Sequence, residues 1–161
     1  ETQEMTTTSK DPLARVNDAR AITASSDAIA WLIVRIATGL ILMPHGAQKL
    51  FGWFGSHGLA ATGQFFEQNL GLAPGIVFAL LAGLTEFVGG LFLAIGLVSR
   101  LTALAVVALM GYAAFGVHLG NGFFWTAGGF EYPLLWGLVA LAIVIRGGGD
   151  YAVDRAIGWK F

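Results

Sequence analysis

The sequence has no cysteine, and only 12% of its 161 residues carry a charge. The first absence removes disulfides, iron–sulfur ligation and thiol nucleophiles, so any redox role has to rest on an organic cofactor, a haem or a partner subunit. The second removes the charged surface that a soluble domain of this length needs. With 56% hydrophobic residues and a mean hydropathy of +0.71, lipid has to act as solvent for much of the chain. A formal net charge of −1 with no basic stripe leaves nothing to attract nucleic acid. The length fits one domain. Residues 1–27 are polar and lack the short apolar core of a signal peptide. They read as a solvated cytoplasmic arm, with Met5 a candidate natural start.

Long apolar runs are plentiful. Segments 28–51, 74–98 and 101–119 are each long enough to cross a bilayer core of roughly 30 Å. A fourth, 132–146, is short for a span at about 22 Å, which is tolerable if its outer end is buried in protein. Pro133 suits the first turn of that helix. These segments predict an all-α integral membrane four-helix bundle over 28–146, with a C-terminal tail over 147–161. With four crossings, one side holds Lys10, Arg15, Arg20, Arg100, Arg146, Arg155 and Lys160, and the other only Lys49. Positive charge is retained on the cytoplasmic side, so both termini are expected there and the protein in a bacterial inner membrane. The two outer loops are rich in glycine and aromatics, among them Trp53, Phe65, Phe66 and Trp125. A short interfacial helix is expected over 62–70, ended by Gly71. The tail should form another, with Asp150 as N-cap and Tyr151 and Trp159 as anchors. A faint repeat (His45, Phe51, Trp53 against His118, Phe123, Trp125) hints at two stacked helix pairs.

Ionisable residues inside the apolar runs are costly and mark function or a partner. Glu86 sits mid-run, and Arg35, His45, Lys49 and His118 lie in the first and third runs or at their ends. Counted along each helix, His45 and His118 lie about 27 Å from the cytoplasmic end and Glu131 about 22 Å, with Glu86 about 21 Å and Arg35 about 12 Å. Lys49 falls on the His45 face, since residues four apart are neighbours. Each also has a plain structural reading: Arg35 and Glu86 as a buried ion pair, the histidines as interfacial residues, Glu131 as an acid at a helix N-terminus. Gly39, Gly46, Gly83, Gly89, Gly90 and Gly96 suit close helix packing. Convergence of ionisable groups at one depth beneath an aromatic lid favours a binding site.

The stretches GLILMPHGAQKLFGW, LTEFVGGLFLAIGLVSR, GVHLGNGFFWTAGGFEYPLLW and RGGGDYAVDR, together with Arg35, resemble the DoxX family of small bacterial membrane proteins. The likeness covers about residues 28–155 and implies a four-helix inner-membrane protein. The family takes its name from the membrane subunit of a thiosulfate:quinone oxidoreductase, and relatives are linked to membrane redox complexes. The expected function is a redox-linked subunit binding quinone or quinol near the periplasmic side. His45, His118, Glu131, Lys49 and Trp125 are the candidate cofactor-binding residues. A b-type haem held between His45 and His118 is the rival ligand. Rival functions are a non-catalytic structural or assembly subunit of a larger complex, and a small-molecule carrier. Expected partners are the bilayer and a larger membrane or redox complex, or further copies of the chain; neither a metal site nor a catalytic residue is expected.

Overall fold

The structure, a computed structural model, describes residues 12–159, the side chains of 12–15, 18 and 19 excepted. Met5, Lys10 and Lys160, and the side chain of Arg15, lie outside the described residues. Among the described residues all regular structure is helical.

Helix α1, Pro12–Phe51, is one continuous element of 40 residues. Its polar beginning, expected as an arm, is helical: proline is at ease in a first turn, and nothing between it and the apolar run breaks a helix. Pro44 lies inside α1 and has no N–H to give to the carbonyl of Leu40, which weakens the helix one residue before His45. A short helix α2, Gly58–Leu70, starts earlier than expected and ends where expected, at Gly71. Helix α3, Gly75–Ile95, ends at Gly96, whose φ of 75° lets Gly96 and Leu97 both donate to the Phe92 carbonyl. Helix α4, Ser99–Tyr112, passes into a π-helix over Ala113–His118. After two 3₁₀ turns, α5 covers Glu131–Arg146 and the short α6 covers Val153–Ala156.

Three segments, Arg20–Phe51, Gly75–Ile95 and Ser99–Asn121, are long and apolar enough to cross a membrane. At 16 residues α5 is shorter and reaches about 24 Å. Helix α1 packs most extensively on α3, and α4 on α5. The α1–α3 contact is close because it runs over glycine: a Cβ on Gly39 would fall onto the Gly90 carbonyl, and one on Gly46 onto the backbone of Phe87. Leu42, Leu93, Val106, Met110 and Ile143 form the core. Ile33, Leu81, Leu101, Leu138 and Ile145 face outward, the inverse of a water-soluble surface.

One end of the bundle is closed by the segment after α5. The Trp31 indole donates to the Gly147 carbonyl at 2.9 Å. Arg35, 1% exposed, donates to the carbonyls of Gly148, Tyr151 and Ala94. Val98 is held at φ 49°, a costly conformation for a β-branched residue. Asp154 fixes that turn: its two carboxylate oxygens accept the N–H groups of Val98 (2.6 Å) and Ser99 (2.8 Å). The tail therefore differs from expectation. Asp150 does not cap the following helix, whose N-cap is Ala152; it pairs with Arg155 instead, and Asp154 caps α4 from a distance.

Candidate functional site

At the opposite end the helices part around a half-open chamber of about 940 Å³. Its walls are mostly apolar, from residues such as Ile41, Leu42, Leu109 and Val117. Every residue singled out from sequence as cofactor-binding borders it: His45 and Lys49 from α1, His118 from the end of the π-helix, Trp125 from the loop and Glu131 from the start of α5. Glu86, from the middle of α3, borders it too.

The ion pair in this chamber is not the one expected. Lys49 Nζ donates to Glu86 Oε2 at 2.6 Å, and also reaches the His45 carbonyl at 3.4 Å. Arg35 and Glu86 are both buried, as expected, but they do not pair. The reason lies in the carbonyls that the glycine-rich turn after α5 presents to Arg35. They engage both terminal nitrogens of the guanidinium at its own level, leaving only Nε without a partner, so it does not climb toward Glu86. Lys49 lies one helical turn above His45 and needs no climb. The Glu86 side chain is 6% exposed and that of Lys49 25%, so water reaches the pair from the lysine side only.

Local backbone structure sets the other groups. A π-helix widens the turn and occurs often where a helix shapes a site; here it ends on His118. His118 Nδ1 is 2.7 Å from the Gly128 carbonyl. A carbonyl can only accept, so Nδ1 carries a hydrogen and Nε2 is the ring nitrogen left for another partner. Asn121 donates to the same carbonyl at 3.1 Å and braces the loop. Glu131 Oε2 accepts the backbone N–H of Trp125 at 3.0 Å, which ties the loop to the first residue of α5. The exposed Trp125 and Phe65, with the half-buried Phe66, stand at the chamber's mouth. The His45 ring lies 6.1 Å from that of Tyr132, which in turn makes an edge contact with Trp136 at 5.9 Å.

Tyr132 and Trp136 were missed from sequence. Trp136 lines the chamber, and its indole N–H is buried with no partner. Buried donors are nearly always satisfied, so this one is a free hydrogen-bonding position. A signal existed: tryptophan belongs at the bilayer interface, whereas Trp136 lies inside the apolar run PLLWGLVALAIVI. Among the described residues no three His, Asp or Glu side chains are grouped as a metal site.

Residues 30–119 match the family model DoxX. A protein of Haemophilus influenzae described as uncharacterized is 36% identical over 105 residues, covering 60% of this chain and 78% of that protein. A second uncharacterized protein of the same organism is 23% identical over 129 residues, covering 80% of this chain and 83% of that protein. No solved structure matches. The family match spans His45, Lys49, Glu86 and His118 but stops before Trp125, Glu131 and Trp136, so the chamber is built partly from outside it.

Proposed function

The chain belongs to the DoxX family, and from that premise we propose that it is a redox-linked subunit of the bacterial inner membrane that binds a quinone or quinol in the chamber. The observation that carries the reading is the buried, unpartnered indole N–H of Trp136 on an otherwise apolar wall. It fits a planar ligand that brings a carbonyl oxygen into an apolar pocket. When bound, such a ligand supplies a two-electron, two-proton couple whose electrons pass to or from a partner subunit. Trp136 donates to one ligand oxygen. His118, its Nδ1–H engaged by Gly128, offers Nε2 to a hydroxyl. Glu131 uses Oε2 on the loop and keeps Oε1 for a proton on its way to the outer face. Lys49 balances the Glu86 charge, so the chamber floor is polar without a net charge.

In this reading α5 is a fourth crossing. It begins beside His45 and ends beside Trp31, so it covers the same stretch as its longer neighbours with both ends packed on protein. Arg20, Arg100, Arg146 and Arg155 then share the cytoplasmic side with both termini. A reporter fused at residue 161 should be active only in the cytoplasm, and periplasmic activity would reject this topology.

The ligand is tested by mass spectrometry of the lipid extract from purified protein. Quinone should be retained, and retained several-fold less by Trp136→Phe and His118→Ala. Absence of quinone from the wild type, even after quinone is supplied, would overturn the reading. A Soret band lost in both His45→Ala and His118→Ala would reassign the chamber to a b-type haem.

A further inference from the structure

The closed end carries a second cavity, which the chamber and its ligand do not involve. Arg100, Arg146 and Arg155 border a cleft of about 290 Å³ floored by Gly147 and Gly148. The carboxylate that lines it and the one nearby are already engaged. Asp154 has both oxygens on the N–H groups of Val98 and Ser99. Asp150 is paired with Arg155. Arg100 and Arg146 have no carboxylate partner among the described residues.

Both guanidinium groups lie at the cleft, and that of Arg146 is also stacked. The Arg146 guanidinium lies over the Trp31 ring, 4.7 Å from its centroid, which leaves its edge donors for a ligand. Arg100 lies along Gly147, where a Cβ would stand 3.2 Å from its Nε; the glycine is also at φ 82°, closed to most side chains. Two guanidinium forks at one cleft, one of them stacked on Trp31, match the oxygens of a phosphate. Beside the cleft, Tyr151 and Ile157 are exposed, as side chains are where a protein meets the headgroup layer. A soluble anion would give these apolar groups nothing to cover them.

We infer that this cleft holds the phosphate of an anionic membrane lipid, with Arg100 and Arg146 as its guanidinium ligands. Basic pockets at the cytoplasmic surface of helical membrane proteins suit such headgroups, and the anionic lipids of that leaflet supply them.

The test is native mass spectrometry of the purified full chain after incubation with phosphatidylglycerol or phosphatidylcholine. Phosphatidylglycerol should be retained about tenfold more, the effect expected of charge-assisted contacts. Arg100→Gln combined with Arg146→Gln should bring it down to the phosphatidylcholine level. Arg20→Gln removes one exposed cation of α1 outside the cleft and should leave retention unchanged. Should the double variant lose its helical circular dichroism, each single variant is measured instead, with a drop of about threefold expected. Equal retention of the two lipids by the wild type would overturn the inference. So would an equal loss in Arg20→Gln, which would mean diffuse surface charge. In a third arm, inorganic phosphate is added to lipid-free protein. If it raises the melting temperature of the wild type but not of the double variant, and phosphatidylglycerol adds nothing, the cleft binds free phosphate and the lipid assignment fails.

Discussion

Helix α1 carries two partly or fully buried cations, and the bundle treats them differently. Arg35, at the closed end, is surrounded by backbone carbonyls from α3 and from the turn after α5. Lys49, beside the chamber, faces one carboxylate on one side chain. Carbonyls belong to the backbone and cannot swing away, so Arg35 is part of the scaffold. A carboxylate on a rotatable stem can change partner or proton, so the Lys49–Glu86 pair can respond to a ligand. One end of the molecule is fixed by main chain, the other left adjustable by side chains. That contrast sets a fixed end against an adjustable one within a single short bundle.

The contrast breaks most directly at Arg35. Replacing it by methionine leaves carbonyls without donors, and a loss of about 3 kcal/mol or more is expected. The readout is the thermal midpoint in detergent, with poor recovery of folded protein in the extreme. A normal midpoint for Arg35→Met would show that the closed end does not depend on this residue. Glu86→Gln should cost less, about 1–3 kcal/mol, by leaving Lys49 without its partner. Lys49→Met in the same background should recover part of the loss, whereas Arg35→Met should add to it independently. A double-mutant cycle that couples Glu86 to Arg35 instead would refute the pairing described here.

Asp154→Asn tests the cap of α4. It keeps one acceptor oxygen and loses the other, so about 1 kcal/mol is expected from urea or thermal titration. Val98→Gly relieves a left-handed β-branched residue and should stabilise by up to about 1 kcal/mol, the reverse of glycine's effect inside a helix or strand. Trp136→Phe should be nearly neutral in the ligand-free protein, because its N–H donates to nothing, while lowering retention of the chamber's ligand. A large loss of stability in that variant would mean that the indole serves packing rather than recognition.

Much of this was legible from residue order. The apolar runs located α3, α4 and α5 and the end of α1 to within a few residues, because a span is predominantly apolar and glycine or a polar turn ends it; they missed the start of α1, sixteen residues earlier in a polar stretch. The depth estimate placed His45, Lys49, His118 and Glu131 together, because helical rise is fixed and the bundle ends are marked by arginine. It also put Glu86 at the chamber, but it did not give the partners of Arg35 and Glu86. Depth along a helix does not show which face a side chain takes, nor that backbone carbonyls from residues more than a hundred positions away would arrive at Arg35. The π-helix was equally hidden, since AAFGVH has nothing that opposes an ordinary α-turn. Local neighbours alone point to Asp150 as the cap. The residue that caps, Asp154, acts across the fold on Val98 and Ser99, where no local pattern could reveal it.

The wiring of Arg35 also fixes an order of events during synthesis. The arginine enters the membrane with the first helix, but the carbonyls of Gly148 and Tyr151 lie 113 and 116 positions later. A nascent chain emerges from its N-terminus, so for most of its elongation a guanidinium waits near hydrocarbon with its main acceptors still unmade. Until the segment after α5 is delivered, the first helix has reason to stay near water, headgroups or the insertion machinery. The contacts of Arg35 at the closed end are therefore completed late, when Gly148 and Tyr151 arrive.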